Sequence, residues 1–279
     1  MNKVSSPWRL LVSLQAATLL LLALLVLFAL LLLYRPSNST LAHMPIFERV
    51  INDAAAVDKS WIVRDLFAIN EGNHLLQWRE NNGQREVKVV AWMSDVSYRA
   101  HYATPVDDCD ISDLKCDVVD NTEGMAPPEK VANIWVTLVP QLKDFCSGLA
   151  VEDPEFRLKQ WLGLDPNLRY DRFVEMWVPV DSLFRPCADP ETNDNSCQLS
   201  IDRKNPPQVK GISNYARFYQ YLIDLSYTRT GAPWTRLGYT YDWAYGERGV
   251  GGSEYIITPT ASFSIFRSYD TVDYCDGDT

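Results

Sequence analysis

Histidine is nearly missing from this chain: His43, His74 and His101 are scattered over 279 residues. Neither GxSxG nor HExxH accompanies them, so no nucleophile elbow and no zinc-protease helix is legible. None of the six cysteines forms CxxC, and no Cys/His cluster has zinc-like spacing. The glycine-rich GERGVGG at 246–252 lacks a GKS or GKT ending and a following helix, which excludes a phosphate loop and leaves a hairpin connection or a flap. There is no internal repeat, and no Pro/Gly/Ser linker divides the body into two domains. Basic residues are also short. Lys3, Arg9 and Arg35 are three of the 26, and none of the 36 acids falls in the first 35 residues. Everything beyond residue 35 therefore holds 23 basic against 36 acidic side chains, a net of −13. A body of that sign is repelled by nucleic acid, so no nucleic-acid partner is expected.

Present instead is a run without any charge, LLVSLQAATLLLLALLVLFALLLLY at 10–34, long enough to cross a hydrocarbon core with some tilt. Basic residues precede it and only Arg35 follows closely, which orients the N-terminus to the cytoplasm. A cleaved signal has a shorter apolar core. The expected layout is a cytoplasmic tail at 1–9, an anchor at 10–34, a linker at 35–44 and an extracytoplasmic domain at 45–279. The expected setting is a bacterial inner membrane, single-pass, with the domain in the periplasm. All six cysteines lie in the exported part, as an oxidising compartment allows. Their spacing suggests Cys109–Cys116 and Cys187–Cys197 as local loops and Cys146–Cys275 as a long-range staple. Asn38-Ser39-Thr40 is a glycosylation sequon that matters only in a eukaryotic lumen.

The body reads as α+β, a mixed and mostly antiparallel sheet with packed helices. Ile46, Phe47, Val50, Ile51 and Ala54 have helical spacing, with Pro45 suited to a first helical position. Asn81-Asn82-Gly83 between apolar runs predicts a hairpin. Strands are expected at VKVVAWM, at IWVTLV from Ile134 and at RFVEMWV, where Val174, Met176 and Val178 share a face. Asp153-Pro154-Glu155 opens a helix that Gly163 ends. Past Ser213, residues Tyr215, Phe218, Tyr219, Leu222 and Leu225 make one helical face.

The candidate site is the stretch GAPWTRLGYTYDWAYGERGVGGSEYII, 231–257. Tyr239, Tyr241, Trp243 and Tyr245 alternate, so a strand places them on one face. Such a row either fills a core against the 213–227 helix or stacks on sugar rings, with Arg236, Asp242 and Glu247 bonding hydroxyls. The expected ligand surface is Trp234, Arg236, Tyr239, Tyr241, Trp243 and Glu247. Asp242 and Glu254 are the carboxylate pair that a glycoside hydrolase would need. Asp107, Asp108, Asp110 and Asp113 crowd a loop that offers oxygen ligands to calcium, though the spacing departs from an EF-hand and a solvated acidic loop is the default. No cofactor is expected. Asp108-Cys109-Asp110 matches the DxD pattern of sugar-nucleotide transferases, and the tail, anchor and luminal body resemble the layout of Golgi glycosyltransferases. The leading expectation is a non-enzymatic binding or assembly module of the cell envelope, held by its N-terminal helix and recognising a glycan or protein partner. The alternative is an envelope carbohydrate-active enzyme.

Overall fold

A computed structural model describes residues 38–102, 104–105, 118–119, 133–149, 151–244 and 249–275, with side chains from residue 46 onward except those at 104–105 and 118–119. Residues 10–34, Cys109, Cys116, Tyr245, Glu247 and the aspartates at 107, 108, 110 and 113 lie outside the described residues. Among the described residues no helix is long and apolar enough to cross a membrane. The chain divides into units 1–44 and 45–279, and every described strand falls in the second.

The strands are β1 (Trp78–Asn81), β2 (Gln84–Met93), β3 (Thr104–Pro105), β4 (Val118–Val119), β5 (Ile134–Leu138), β6 (Arg172–Pro179), β7 (Leu183–Phe184), β8 (Tyr239–Asp242), β9 (Gly249–Ser253), β10 (Tyr255–Ile257) and β11 (Ser264–Asp270). The helices are α1 (Asn38–Ala55), α2 (Asp95–His101), α3 (Val139–Ser147), α4 (Pro154–Trp161), α5 (Tyr215–Ser226) and α6 (Thr271–Cys275). The main sheet runs β11-β6-β2-β5-β10-β7, with β1 added to β2, and each of its ladders is antiparallel. The fold is α+β, as the irregular alternation of elements predicts.

Local chemistry accounts for several elements. Asn82 and Gly83 both take positive φ, 49° and 76°, and close β1 onto β2 with Asn81 opposite Gln84. The Asp153 carboxylate accepts the Phe156 amide at 2.9 Å and starts α4, and Gly163 at φ 65° follows its end. Asn214 caps α5 by accepting the Arg217 amide. Helix α1 begins at Asn38, seven residues before Pro45.

Alternation divides the sheet residues between two faces. Val87, Val89 and Ala91 of β2 join Val174, Met176 and Val178 of β6 and Ile134, Val136 and Leu138 of β5 under Tyr98 and Tyr102. On the opposite face Val90 and Phe173 pack against Val139, Leu142 and Cys146 of α3, Leu158 and Trp161 of α4, and Tyr274 of α6. Farther along that face, Phe184 and Ile256 meet Tyr215, Tyr219 and Leu222 of α5. Two disulfides, Cys146–Cys275 and Cys187–Cys197, tie this arrangement, in the pairing that spacing suggests.

Candidate functional site

The sheet does not close completely. One edge of β2 pairs with β6 from Glu86 to Met93. The other edge takes β1 as far as Val87 and then β5 only at Val89 and Val90. Beyond Val90 the two strands part, so Ala91, Trp92 and Met93 face Ile134, Trp135 and Val136 without pairing to them. A cavity of about 670 Å³ opens there. Its remaining walls include Leu142 of α3, residues 162–165 after α4, Leu222 and Leu225 of α5, Thr228 and residues 230–234 of the following loop, Thr240, Tyr241 and Glu254, whereas Arg229 of that loop is exposed and faces Glu48. Trp135 (38 % exposed), Leu168 (54 %) and Leu225 (55 %) place apolar surface where the cavity meets solvent.

The 228–234 loop is tied to the end of α5. Ala232 donates its amide to the Ser226 carbonyl at 3.0 Å, and Gly231 to that of Thr228. Gly231 runs so close to α5 that a Cβ there would lie 1.9 Å from the Ser226 oxygen. The Tyr227 hydroxyl donates to the Trp234 carbonyl at 2.6 Å, and the Trp234 ring meets Tyr219 and Trp135 edge-on at 5.4 and 6.1 Å. Trp234 is thus held in place without any ligand.

Glu254 lies on the same face as Ile256 and is buried. Its Oε1 accepts the Trp234 indole Nε1–H at 3.0 Å, and no lysine or arginine among the described residues pairs with it. Burial pushes its carboxyl up to about 8, the indole hydrogen bond opposing this only partly. Tyr170, also on the wall, is pushed up to about 12 by burial. Asp165 is the other acid on the wall; its carboxylate accepts the Asn167 amide at 2.8 Å. No lysine, arginine or histidine is among the described residues that line the cavity.

The aromatic row divides. Trp234 and Tyr241 reach the cavity wall, whereas Tyr239 and Trp243 do not. Tyr241 and Trp243 are buried against Phe47, Val50, Ile51 and Ala54 of α1, with Phe47 edge-on to Trp243 at 5.5 Å. Tyr239 packs beside the Cys187–Cys197 bridge and donates its hydroxyl to the Trp61 carbonyl at 2.9 Å. Tyr241 and Trp243 therefore pack against α1 rather than the 213–227 helix, because β8 forms a separate two-stranded sheet with β9 and is not a strand of the main sheet. Arg236 adopts φ 62° and donates Nη2 to the Ala55 carbonyl, placing a cation at the C-terminal end of α1. Asp242 receives both guanidinium nitrogens of Arg157 at 2.9 and 2.6 Å and does not line the cavity. The expected carboxylate pair is thus divided, with Glu254 on the cavity and Asp242 in an ion pair.

The glycines of β9 have a packing reason. A Cβ on Gly251 would lie 2.1 Å from the Trp161 carbonyl oxygen, and one on Gly252 would lie 2.6 Å from the Trp161 ring. Sequence reasoning missed Trp92, Trp135, Asp165, Leu168 and Leu225 as cavity residues. Trp135 carried a signal: it is the one aromatic ring in the IWVTL strand, large and amphipathic. Compared with family models, curated proteins and solved structures, the chain matches none.

Proposed function

We propose that the chain is a membrane-anchored binding module whose extracytoplasmic domain holds a small, largely apolar ligand in the cavity between β2 and β5. The apolar run at 10–34 serves as the anchor, with the N-terminus in the cytoplasm and the domain in the periplasm; the bridged cysteines accord with that compartment. The cavity supports this best: about 670 Å³, within the range that encloses drug-sized ligands, walled mainly by apolar and aromatic side chains with Glu254 and Thr137 as its buried polar residues. A glycan fits less well, since a sugar needs several convergent polar partners and Arg236 and Asp242 are engaged elsewhere.

Photolabelling tests this. A neutral octyl diazirine alcohol is added to the full chain in lipid nanodiscs, illuminated, and the modified peptides are mapped. Labelling at 133–137, 162–170 and 222–234 is expected beside the lipid-exposed anchor. Labelling confined to residues 10–34 would overturn the binding cavity.

A second reading has one observation in its favour. A carboxyl that keeps its proton to about pH 8 suits a general acid, as the enzyme alternative requires. With Asp242 in its ion pair, Asp165 would have to act as the second carboxylate. Glycoside turnover abolished by both Glu254→Gln and Asp165→Asn would establish that reading, and equal rates in all three chains would end it.

A further inference from the structure

Resting on the binding function proposed for this cavity, we infer that its ligand is an amphiphilic cation, an alkyl- or arylammonium whose nitrogen sits between the Glu254 carboxylate and the faces of Trp135 and Trp234. Three observations point to positive charge. The first is the sign of the wall: Glu254 and Asp165 are its ionisable acids, and no base is among the described lining residues. The second is the state of Glu254. Trp234 occupies Oε1, and no protein partner among the described residues takes the other oxygen. A buried acid that lines a cavity and has one oxygen unbonded by protein is the kind of group that marks a functional site. The third is the aromatic content: Trp92, Trp135, Trp234, Tyr102 and Tyr170 all line the cavity. Ring faces attract ammonium groups, most strongly where water is excluded. The net charge of −13 beyond residue 35 favours approach of the same sign of ligand.

A fatty acid carries the wrong sign, because its carboxylate would meet Glu254 and Asp165 with nothing to offset the repulsion. A neutral alcohol can bond to Glu254 but gains nothing from the ring faces. Ammonium binding also converts Glu254 from acid to carboxylate, so one proton leaves for each ligand bound near neutral pH.

The neutral diazirine probe supplies the readout, with octyltrimethylammonium, octanol and octanoate as competitors at pH 8 in nanodiscs of one composition. The ammonium is expected to block labelling of 133–137 and 222–234 at about one tenth the concentration of octanol or less, with octanoate weakest. Glu254→Gln keeps an acceptor for the Trp234 indole and should remove the ammonium preference while octanol still competes. Trp135→Leu, at a partly exposed position, should reduce the preference about threefold or more and leave the fold intact. Equal competition by ammonium and octanol in the unaltered chain, or a preference that survives Glu254→Gln, would overturn the cationic ligand while the binding cavity stands. Absence of any cavity labelling would instead remove the binding function on which it rests.

Discussion

Burial holds the Glu254 proton in the folded chain to about pH 8, whereas the unfolded chain releases it near the ordinary carboxyl value of 4.5. The stabilisation from this group is therefore complete below about pH 4.5 and is lost as pH rises to about 8. Burial likewise raises Asp189 to about 6 and adds a loss of the same sign at lower pH, between its ordinary value of 3.8 and about 6. Glu254→Gln should consequently melt near the unaltered chain at pH 5 and be more stable at pH 8, by on the order of 4 kcal/mol. A gap that narrows as pH rises in thermal melts would contradict this. Asp242 behaves oppositely on substitution. Its Arg157 pair is mostly shielded from water, with side-chain exposures of 17 % for the arginine and 6 % for the aspartate. Asp242→Asn leaves the guanidinium under-compensated and should cost about 2–3 kcal/mol in urea unfolding, below the range for fully buried pairs.

Among the elements, the β1–β2 hairpin and β9 show two different demands on glycine. Gly83 needs a positive φ but has open space around it, with no atom within 4 Å of an added Cβ. Gly83→Ala should cost about 1 kcal/mol, the conformational term alone. Gly252 has no unusual φ but lies against the Trp161 ring, and Gly252→Ala should cost about 2–3 kcal/mol through overpacking. Denaturant titration of the two variants checks the order; a larger loss at Gly83 would refute it. The hairpin was legible because Asn-Gly chemistry acts across neighbouring residues. The reason for the β9 glycines was not, because Trp161 lies far away in sequence and nothing local announces it.

For the whole molecule, the two disulfides close loops of very different length. Cys146–Cys275 spans 129 positions and Cys187–Cys197 spans 10. Loop-closure entropy makes the first worth about 5 kcal/mol and the second about 2.7. Cys146→Ser/Cys275→Ser should accordingly lower unfolding stability more than Cys187→Ser/Cys197→Ser, measured on the oxidised full chain. The reverse order would show that entropy does not govern these bridges. Sequence alone determined the α+β class, the alternating β6 face and the capped start of α4, and it suggested the cysteine pairing that the structure shows. Period and capping chemistry are local quantities, and so is the short separation of Cys187 from Cys197. Sequence also singled out Trp234, Tyr241 and Glu254. Tertiary structure decided that Tyr239 and Trp243 are core, that Asp242 belongs to Arg157, and that β2 and β5 part beyond Val90. Those outcomes depend on which distant segments meet, and β8 lies against α1 because its backbone pairs with β9 instead of joining the main sheet.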